Sequence, residues 1–275
     1  MKRRGTMMLL TVDIGNTRVK LARMADGKVT ALESLVTTEV LAGSLASFTI
    51  GVRSNVLSKL EGVIVASVVP SANPILARIL TEQTGIPPHF VDHSVKLPFS
   101  LRERRPERIG IDRICAAVGA IGPAGAGAIV IDIGTAITVD LVANKHFEAG
   151  PILPGPGLGL AALGASAEQL PDIDVDEIQD LFPSRTRDTR EAMILGAGLA
   201  TLGGIREAVR RMEAQIPRPI RKVVTGGGAG ALAPHLPGSW KLDPHIVHRG
   251  LYRIWCQDGA AGRPEPADKT RPGKG

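Results

Sequence analysis

Apolar and polar positions along the chain follow two alternating rhythms. Short runs dense in Val, Ile and Leu predict strands at 8–13, 63–68, 89–91, 128–132, 138–142 and 222–225. A further strand at 18–24 is expected to pair with the first through the Gly15–Thr17 turn. Between these runs, apolar residues three and four apart predict helices near 74–85, 112–122, 157–170, 189–216 and 229–235. The clearest is 189–216, where Ala192, Leu195, Leu199, Leu202, Ile205 and Val209 recur at helical steps. Gly196, Gly198, Gly203 and Gly204 lower helix propensity there or let another backbone pack close. Strands alternating with helices predict an α/β fold. Residues 259–275 hold no large apolar side chain and are expected to form a disordered tail.

The pattern contains one internal echo. Val12-Asp13-Ile14-Gly15-Asn16-Thr17 returns as Ile131-Asp132-Ile133-Gly134-Thr135-Ala136, the two glycines standing 119 positions apart. Each copy ends an apolar strand with Asp, follows it with Gly and a hydroxyl residue, and re-enters β-like sequence. Two such copies predict two similar halves, each opening with strand, turn and strand. The Gly-Pro-Ala-Gly-Ala-Gly segment at 122–127 is a suitable divide. The expected domains are therefore 1–122, 123–258 and the tail 259–275.

Composition narrows the function. The chain has 275 residues, 44% hydrophobic and 22% charged, an ordinary globular balance. No apolar run approaches the ~20 residues that span a bilayer, so no membrane role is expected. Met7–Leu10 follows Lys2, Arg3 and Arg4 in the manner of a signal peptide. Asp13 interrupts it before an h-region of ~7–15 residues is complete, so it reads as the first strand. Two cysteines, Cys115 and Cys256, are too few for a disulfide framework or a structural zinc site, and a reduced, cytoplasmic setting is expected. Of the net charge of +6, three units sit on Lys2, Arg3 and Arg4 and two more in 259–275, so the middle is nearly neutral. With aromatics at only 3%, a nucleic-acid partner is not expected.

Five segments could carry chemistry. In Asp13–Thr17, successive backbone N–H groups with the Asn16 and Thr17 side chains could cradle phosphate oxygens, Gly15 supplying a left-handed turn conformation and Asp13 holding a hydrated Mg²⁺. A plain hairpin explains the same residues. The second copy, Asp132–Asp140, again sets a carboxylate beside Gly and hydroxyls; two such turns would clamp a polyphosphate, and a bound cation would explain both carboxylates. Gly226-Gly227-Gly228, after the strand at 222–225, lets a ligand approach backbone closely, or is simply a flexible connection. Asp112, at a helix start with Arg113, is either an N-cap or a general base, with Arg113 binding an anionic group. Gly150–Gly157 reads as a rigid loop before a helix. His245 and His248 lack a third ligand nearby in sequence.

Asp13-Ile-Gly-Asn-Thr, Gly110-Ile-Asp-Arg113, Asp132-Ile-Gly-Thr-Ala-Ile-Thr138, Ile152-Leu-Pro-Gly155, Asp188-Thr-Arg-Glu-Ala192 and Thr225-Gly-Gly-Gly228, in this order, resemble the type III pantothenate kinases. That family belongs to the actin-like superfamily of sugar and acetate kinases, and the likeness spans roughly residues 8–252. The resemblance implies two actin-like, ribonuclease H-like halves, each a mixed sheet flanked by helices. It implies phosphorylation of pantothenate by ATP, the first step of coenzyme A synthesis, with Mg²⁺, a monovalent cation (K⁺ or NH₄⁺) and a homodimer. By resemblance, Asp13, Gly15, Asn16, Thr17 and Lys20 lie along the ATP phosphates, with Thr135 and Gly227 also on the nucleotide. Asp112 is the proton acceptor; Gly110, Ile111, Arg113 and Thr189 line the pantothenate site; Asp132 and Asp13 hold the cations.

Three positions depart from the family pattern, all on the acceptor side. Glu103 stands where an aromatic residue is usual, Gly150-Pro151 replaces Gly-Gly, and Asp188-Thr189 replaces Asn-Thr. They keep two alternatives open: a kinase of the same fold for another small hydroxyl compound, and a non-catalytic nucleotide-binding regulator.

Overall fold

The computed structural model describes residues 7–43, 60–122, 125–175, 178, 180–216 and 219–258. It divides the chain into two compact units, 1–96 with 251–275, and 97–250. The expected tail lies outside the described residues.

The first unit is built on one sheet. Strands β1 (Met8–Ile14), β2 (Arg18–Ala25) and β3 (Lys28–Val36) form an antiparallel meander, followed by a short helix α1 (Thr37–Leu41). Strand β4 (Leu60–Ser67) runs parallel to β1, helix α2 (Asn73–Thr84) follows, and β5 (His89–Phe90) runs parallel to β4. The strand order is β3-β2-β1-β4-β5. Period-two alternation gives the sheet two apolar faces. Leu10, Val12 and Ile14 pack with Val19, Leu21, Val63 and Val65 against Leu76, Ile79 and Leu80 of α2. Leu9, Ala22 and Met24 face the other way, towards Tyr252 and Trp255. Each of the buried Val, Leu, Ile and Met side chains contributes about 1.5–3 kcal/mol.

The second unit opens with β6 (Ser100–Leu101) and helix α3 (Ile111–Ala120). Strands β7 (Ala128–Ile133), β8 (Ala136–Ala143) and β9 (His146–Glu148) form a second antiparallel meander, and β10 (Ile152–Pro154) pairs with β8. Helices α4 (Pro156–Ser166) and α5 (Thr189–Glu213) follow, then β11 (Arg221–Thr225), α6 (Ala229–Leu232) and β12 (Lys241–Leu242). The final helix α7 (Ile246–Asp258) begins in the second unit and supplies its last turns to the first. The sheet order is β12-β11-β7-β8-β9-β6.

The sequence echo has a structural counterpart. Read across the sheet, β9-β8-β7-β11-β12 repeats β3-β2-β1-β4-β5. The orientations repeat too: β7 is antiparallel to β8 and parallel to β11, as β1 is to β2 and β4. The hairpins differ by one residue. Gly15 faces Arg18 across a two-residue tip, whereas Gly134 faces Ala136 across Thr135 alone.

Ile129, Ile131 and Ile133 of β7, with Ile137, Val139 and Leu141 of β8, pack against Leu202, Ile205, Ala208, Val209 and Met212 of α5. The opposite face of the same strands meets α3. That packing moves the boundary: the structure divides the chain at 96/97, ahead of α3, rather than at 122/123. In its first half α5 buries Met193, Ile194, Ala197 and Thr201, leaving Ala192 and Leu199 of the expected stripe outward. By length and composition α5 is long and apolar enough to cross a bilayer, contrary to the expectation that no segment is. Of that apolar stretch 44% is buried, in the core it covers.

Candidate active site

In the first unit, Asp13 is the penultimate residue of β1 and lies directly opposite Lys20 of β2, which puts both side chains on one face of the sheet. The tip between them is drawn tight by Gly15, whose N–H donates to the Arg18 carbonyl at 3.0 Å. Thr37, at the start of α1, braces it: its hydroxyl donates to the Gly15 carbonyl at 2.8 Å and its N–H to the Thr17 carbonyl at 3.0 Å. Asn16 and Thr17 remain exposed. Gly15 is not left-handed, contrary to expectation. A Cβ there would stand 3.2 Å from the Arg18 carbonyl oxygen, so close approach explains the glycine instead.

In the second unit, three loops meet at the carboxyl ends of β7 and β11. Asp132 is the penultimate residue of β7, paired with Thr138 and Thr225. The Gly228 N–H donates to the Ile133 carbonyl at 2.9 Å, and the Gly155 N–H to the Thr135 carbonyl at 2.9 Å. Gly226 has φ +93°, and a Cβ on it would strike the Ile133 carbonyl and lie 2.5 Å from the Asp132 carboxylate. The glycine demand therefore falls on Gly226, while Gly227 faces open space. Helix α4 starts at Gly155 with no side-chain cap. Glycine loops and an uncapped helix start at the ends of parallel strands suit phosphate oxygens. No group of three or more His, Cys, Asp or Glu able to hold a metal occurs among the described residues. A cation at Asp13 or Asp132 would therefore complete its shell with carbonyl, water or phosphate oxygens, the usual donors for Mg²⁺.

Asp112 sits in the first turn of α3, after Gly110 as N-cap residue. It does not cap that helix; its carboxylate accepts from the Arg113 N–H at 2.8 Å. Burial pushes the Asp112 carboxyl above its ordinary value, and Arg113 only partly offsets this. A carboxylate raised in this way is a better proton acceptor near neutral pH.

Arg113 is occupied elsewhere. Its Nε donates to Asp140 Oδ2 at 3.1 Å and its Nη2 to Asp140 Oδ1 at 2.5 Å and to the Gly150 carbonyl at 3.0 Å. Asp140 is 2% exposed, and its Oδ1 also accepts from the Gly150 N–H at 3.1 Å. Burial raises the Asp140 carboxyl and the Asp112 charge adds to this, while Arg113 pulls the other way. The Arg113 guanidinium, expected to bind an anionic group, is held in the structure in a bidentate pair with Asp140. Asp140 was missed as a site residue, although a carboxylate inside the apolar run 138–142 was a signal: burial of a charge demands a partner.

Glu103 belongs to the same cluster. Its Oε1 accepts from the Ala149 N–H, and its Oε2 is buried with no hydrogen-bond partner among the described residues. Thr189 is exposed at the start of α5. Asp188 before it accepts from the Glu191 N–H at 2.8 Å and caps that helix. A cavity of about 620 Å³ is lined by Arg185, Arg187, Arg190 and Glu191 among others, and neither Asp112 nor Asp132 is in its lining. Arg187 is bonded to Glu191 within it.

The structure thus gathers the expected residues into three groups. Asp13, Gly15, Asn16, Thr17 and Lys20 share one hairpin. Asp132, Thr135 and the 226–228 loop share one strand end. Gly110, Ile111, Asp112 and Arg113 share one helix start.

Comparison with known proteins follows these motifs. The profile of the type III pantothenate kinase family matches residues 9–211. A type III pantothenate kinase of Hyphomonas neptunium is 33% identical, covering 90% of this chain and 98% of its own. One of Moorella thermoacetica is 30% identical with the same coverages. Among solved structures, a Campylobacter jejuni protein described as a Baf family transcriptional activator superposes with a TM-score of 0.59 at 20% identity, covering 90% of this chain and 98% of its own. A ROK family glucokinase from Streptomyces griseus, in complex with glucose and AMPPNP, gives 0.51 at 13% identity, covering 90% and 97%. These likenesses show the fold, an actin-like α/β fold of mixed sheets flanked by helices.

Proposed function

The chain belongs to the type III pantothenate kinase family, and we propose that it phosphorylates pantothenate with ATP, giving 4′-phosphopantothenate and ADP, the entry step of coenzyme A synthesis. The observation that carries this is Asp112: a carboxylate at a helix start, raised by burial, beside a guanidinium already neutralised by Asp140. Asp112 accepts the proton of the substrate hydroxyl as its oxygen bonds to the γ-phosphorus and the bond to ADP breaks. Phosphoryl transfer asks the protein for alignment and charge neutralisation. Asp13, Gly15, Asn16, Thr17 and Lys20, with Thr135 and the 226–228 loop, lie along the nucleotide in this reading. Gly110, Ile111 and Thr189 line the acceptor site, and Arg113 shapes it through its tie to Asp140. Asp13 and Asp132 are the carboxylates that would hold Mg²⁺ and a monovalent cation, whose charge would offset that of the phosphates.

We infer a homodimer working in the cytoplasm. Support for the dimer is the apolar exterior of α4, where Leu158 and Leu163 are exposed, and of α5, where Leu199 is 55% exposed.

A coupled ADP-release assay with ATP, Mg²⁺, K⁺ and pantothenate tests the function. Pantothenate-dependent turnover above a no-acceptor control is expected. ATP binding without turnover on pantothenate would overturn the reading; turnover on another alcohol would then favour a different acceptor, and none at all a regulator.

A further inference from the structure

Glu103 lies outside every role assigned above, yet its position is unusual. It sits in an arginine-rich run, Arg102-Glu103-Arg104-Arg105, where pairing with a neighbouring cation would be the ordinary outcome. The neighbours do something else: Arg102 reaches Glu148 at 3.2 Å, and Arg104 and Arg105 are exposed. The Glu103 carboxylate turns inward instead and takes the Ala149 N–H. Ala149 adjoins Gly150, whose N–H donates to Asp140 and whose carbonyl accepts from Arg113. The 149–150 backbone is therefore held from one side by Glu103, and it holds the Arg113–Asp140 pair on the other. Arg113 is the residue next to Asp112, and its backbone N–H donates to the Asp112 carboxylate.

We propose that Glu103 is a positioning residue for the acceptor half of the reaction: by clamping the 149–150 backbone it keeps Arg113 and Asp140 locked and so sets the surroundings of Asp112. The proposal deepens the kinase reading and rests on it. It accounts for a buried carboxylate oxygen, Oε2, left without a hydrogen-bond partner among the described residues: the group is retained for what Oε1 holds. It also explains how a glutamate is compatible with an anionic substrate, since its charge is turned onto backbone.

The pH profile of kcat/KM separates this role from simple structural support. The charged groups acting on Asp112 among the described residues are Arg113 on its own helix and Asp140 on the facing strand. Arg113 lowers the Asp112 pKa, so an Arg113 that loosens lets it rise, and the acid limb moves to higher pH. Glu103→Met removes the acceptor and leaves the Ala149 N–H unpaired. Glu103→Gln keeps an amide oxygen for it and exchanges Oε2 for a nitrogen. Glu103→Met is expected to lower kcat/KM for pantothenate about tenfold, with KM for ATP unmoved, and to shift the acid limb upward by roughly half a unit or more. Glu103→Gln is expected to restore both.

A Glu103→Met enzyme with wild-type kcat/KM and limb overturns the inference. So does one that loses active enzyme with the limb unmoved, which is structural support alone. A Glu103→Gln enzyme as impaired as Glu103→Met also overturns it, because charge rather than the clamp would then matter. Should Glu103→Met fail to fold, Glu103→Asp, one methylene too short to reach Ala149, provides the same comparison. A wild-type protein inert towards pantothenate overturns the kinase reading itself, an outcome distinct from normal wild-type turnover with an unmoved variant.

Discussion

The pair of Asp140 and Arg113 makes a quantitative prediction. Asp140 is 2% exposed, and Arg113 meets it with two parallel hydrogen bonds. Asp140→Ala would leave the guanidinium buried with the Gly150 carbonyl as its one hydrogen-bond partner among the described residues. Breaking a buried pair from one side costs about 3–5 kcal/mol, because the remaining charge is uncompensated. Removing both charges with residues of similar volume, in Arg113→Met/Asp140→Leu, costs far less and can be neutral. Urea unfolding reads this directly. Trp240 lies in the second unit and Trp255 in the first, so a Trp255→Phe background lets Trp240 fluorescence report the unit that holds the pair. Asp140→Ala should lower the midpoint strongly at unchanged slope, and the double variant should recover most of the loss. A loss below about 1 kcal/mol for Asp140→Ala would mean the site is effectively solvated, the range of exposed pairs. A double variant as unstable as the two singles summed would mean the two residues are not coupled.

Asp112→Asn should lower kcat by roughly 10²–10⁴ while ATP binding survives. It should also stabilise the protein: the Asp112 carboxyl is raised above its ordinary value of 3.8, so its contribution to stability is full below that value and lost as pH rises through the folded pKa. The variant's melting temperature should exceed that of wild type at pH 8, with the gap closing on acidification; equal melting temperatures at pH 8 would contradict the burial. Gly226→Ala, at φ +93° against the Ile133 carbonyl, should cost about 1–3 kcal/mol and weaken ATP binding; wild-type ATP affinity by calorimetry would separate the loop from the nucleotide. Turnover should need K⁺ or NH₄⁺ if Asp132 holds a monovalent cation, and full activity with Na⁺ alone would remove that site.

The repeated Asp-x-Gly segments were legible because each packs an apolar strand, a polar turn and a returning strand into a few residues. The structure placed them as the first hairpin of two sheets with one strand order. Strand β3 was missed although Asp26-Gly27 carries a hairpin signal, both residues having positive φ. Its alternation is masked by Lys28, Glu33 and Ser34, as befits a half-buried edge strand. Helix α7 was missed too, though Val247, Leu251 and Ile254 keep helical steps. The domain boundary was drawn on a Gly-rich segment, whereas α3 packs onto β7 and β8 through contacts that local composition does not encode. Asp112 was found from its neighbours, but whether it capped a helix or lay buried needed coordinates. The pairing of Arg113 with Asp140 was not legible, because the two stand 27 residues apart.

The route of α7 has a consequence for synthesis. The face of the first sheet that carries Leu9, Ala22 and Met24 is covered by Tyr252 and Trp255. On a ribosome adding roughly 5–20 residues per second, the strands of that sheet are made long before their cover. An apolar face would stay open while the entire second unit is translated, for about ten to thirty seconds at that pace. The first unit to be made is thus the last to be finished, and its completion waits on the correct folding of the segment inserted within it. Nascent chains stalled before residue 251 should bind hydrophobic-surface chaperones, and release of that binding should coincide with emergence of the last helix.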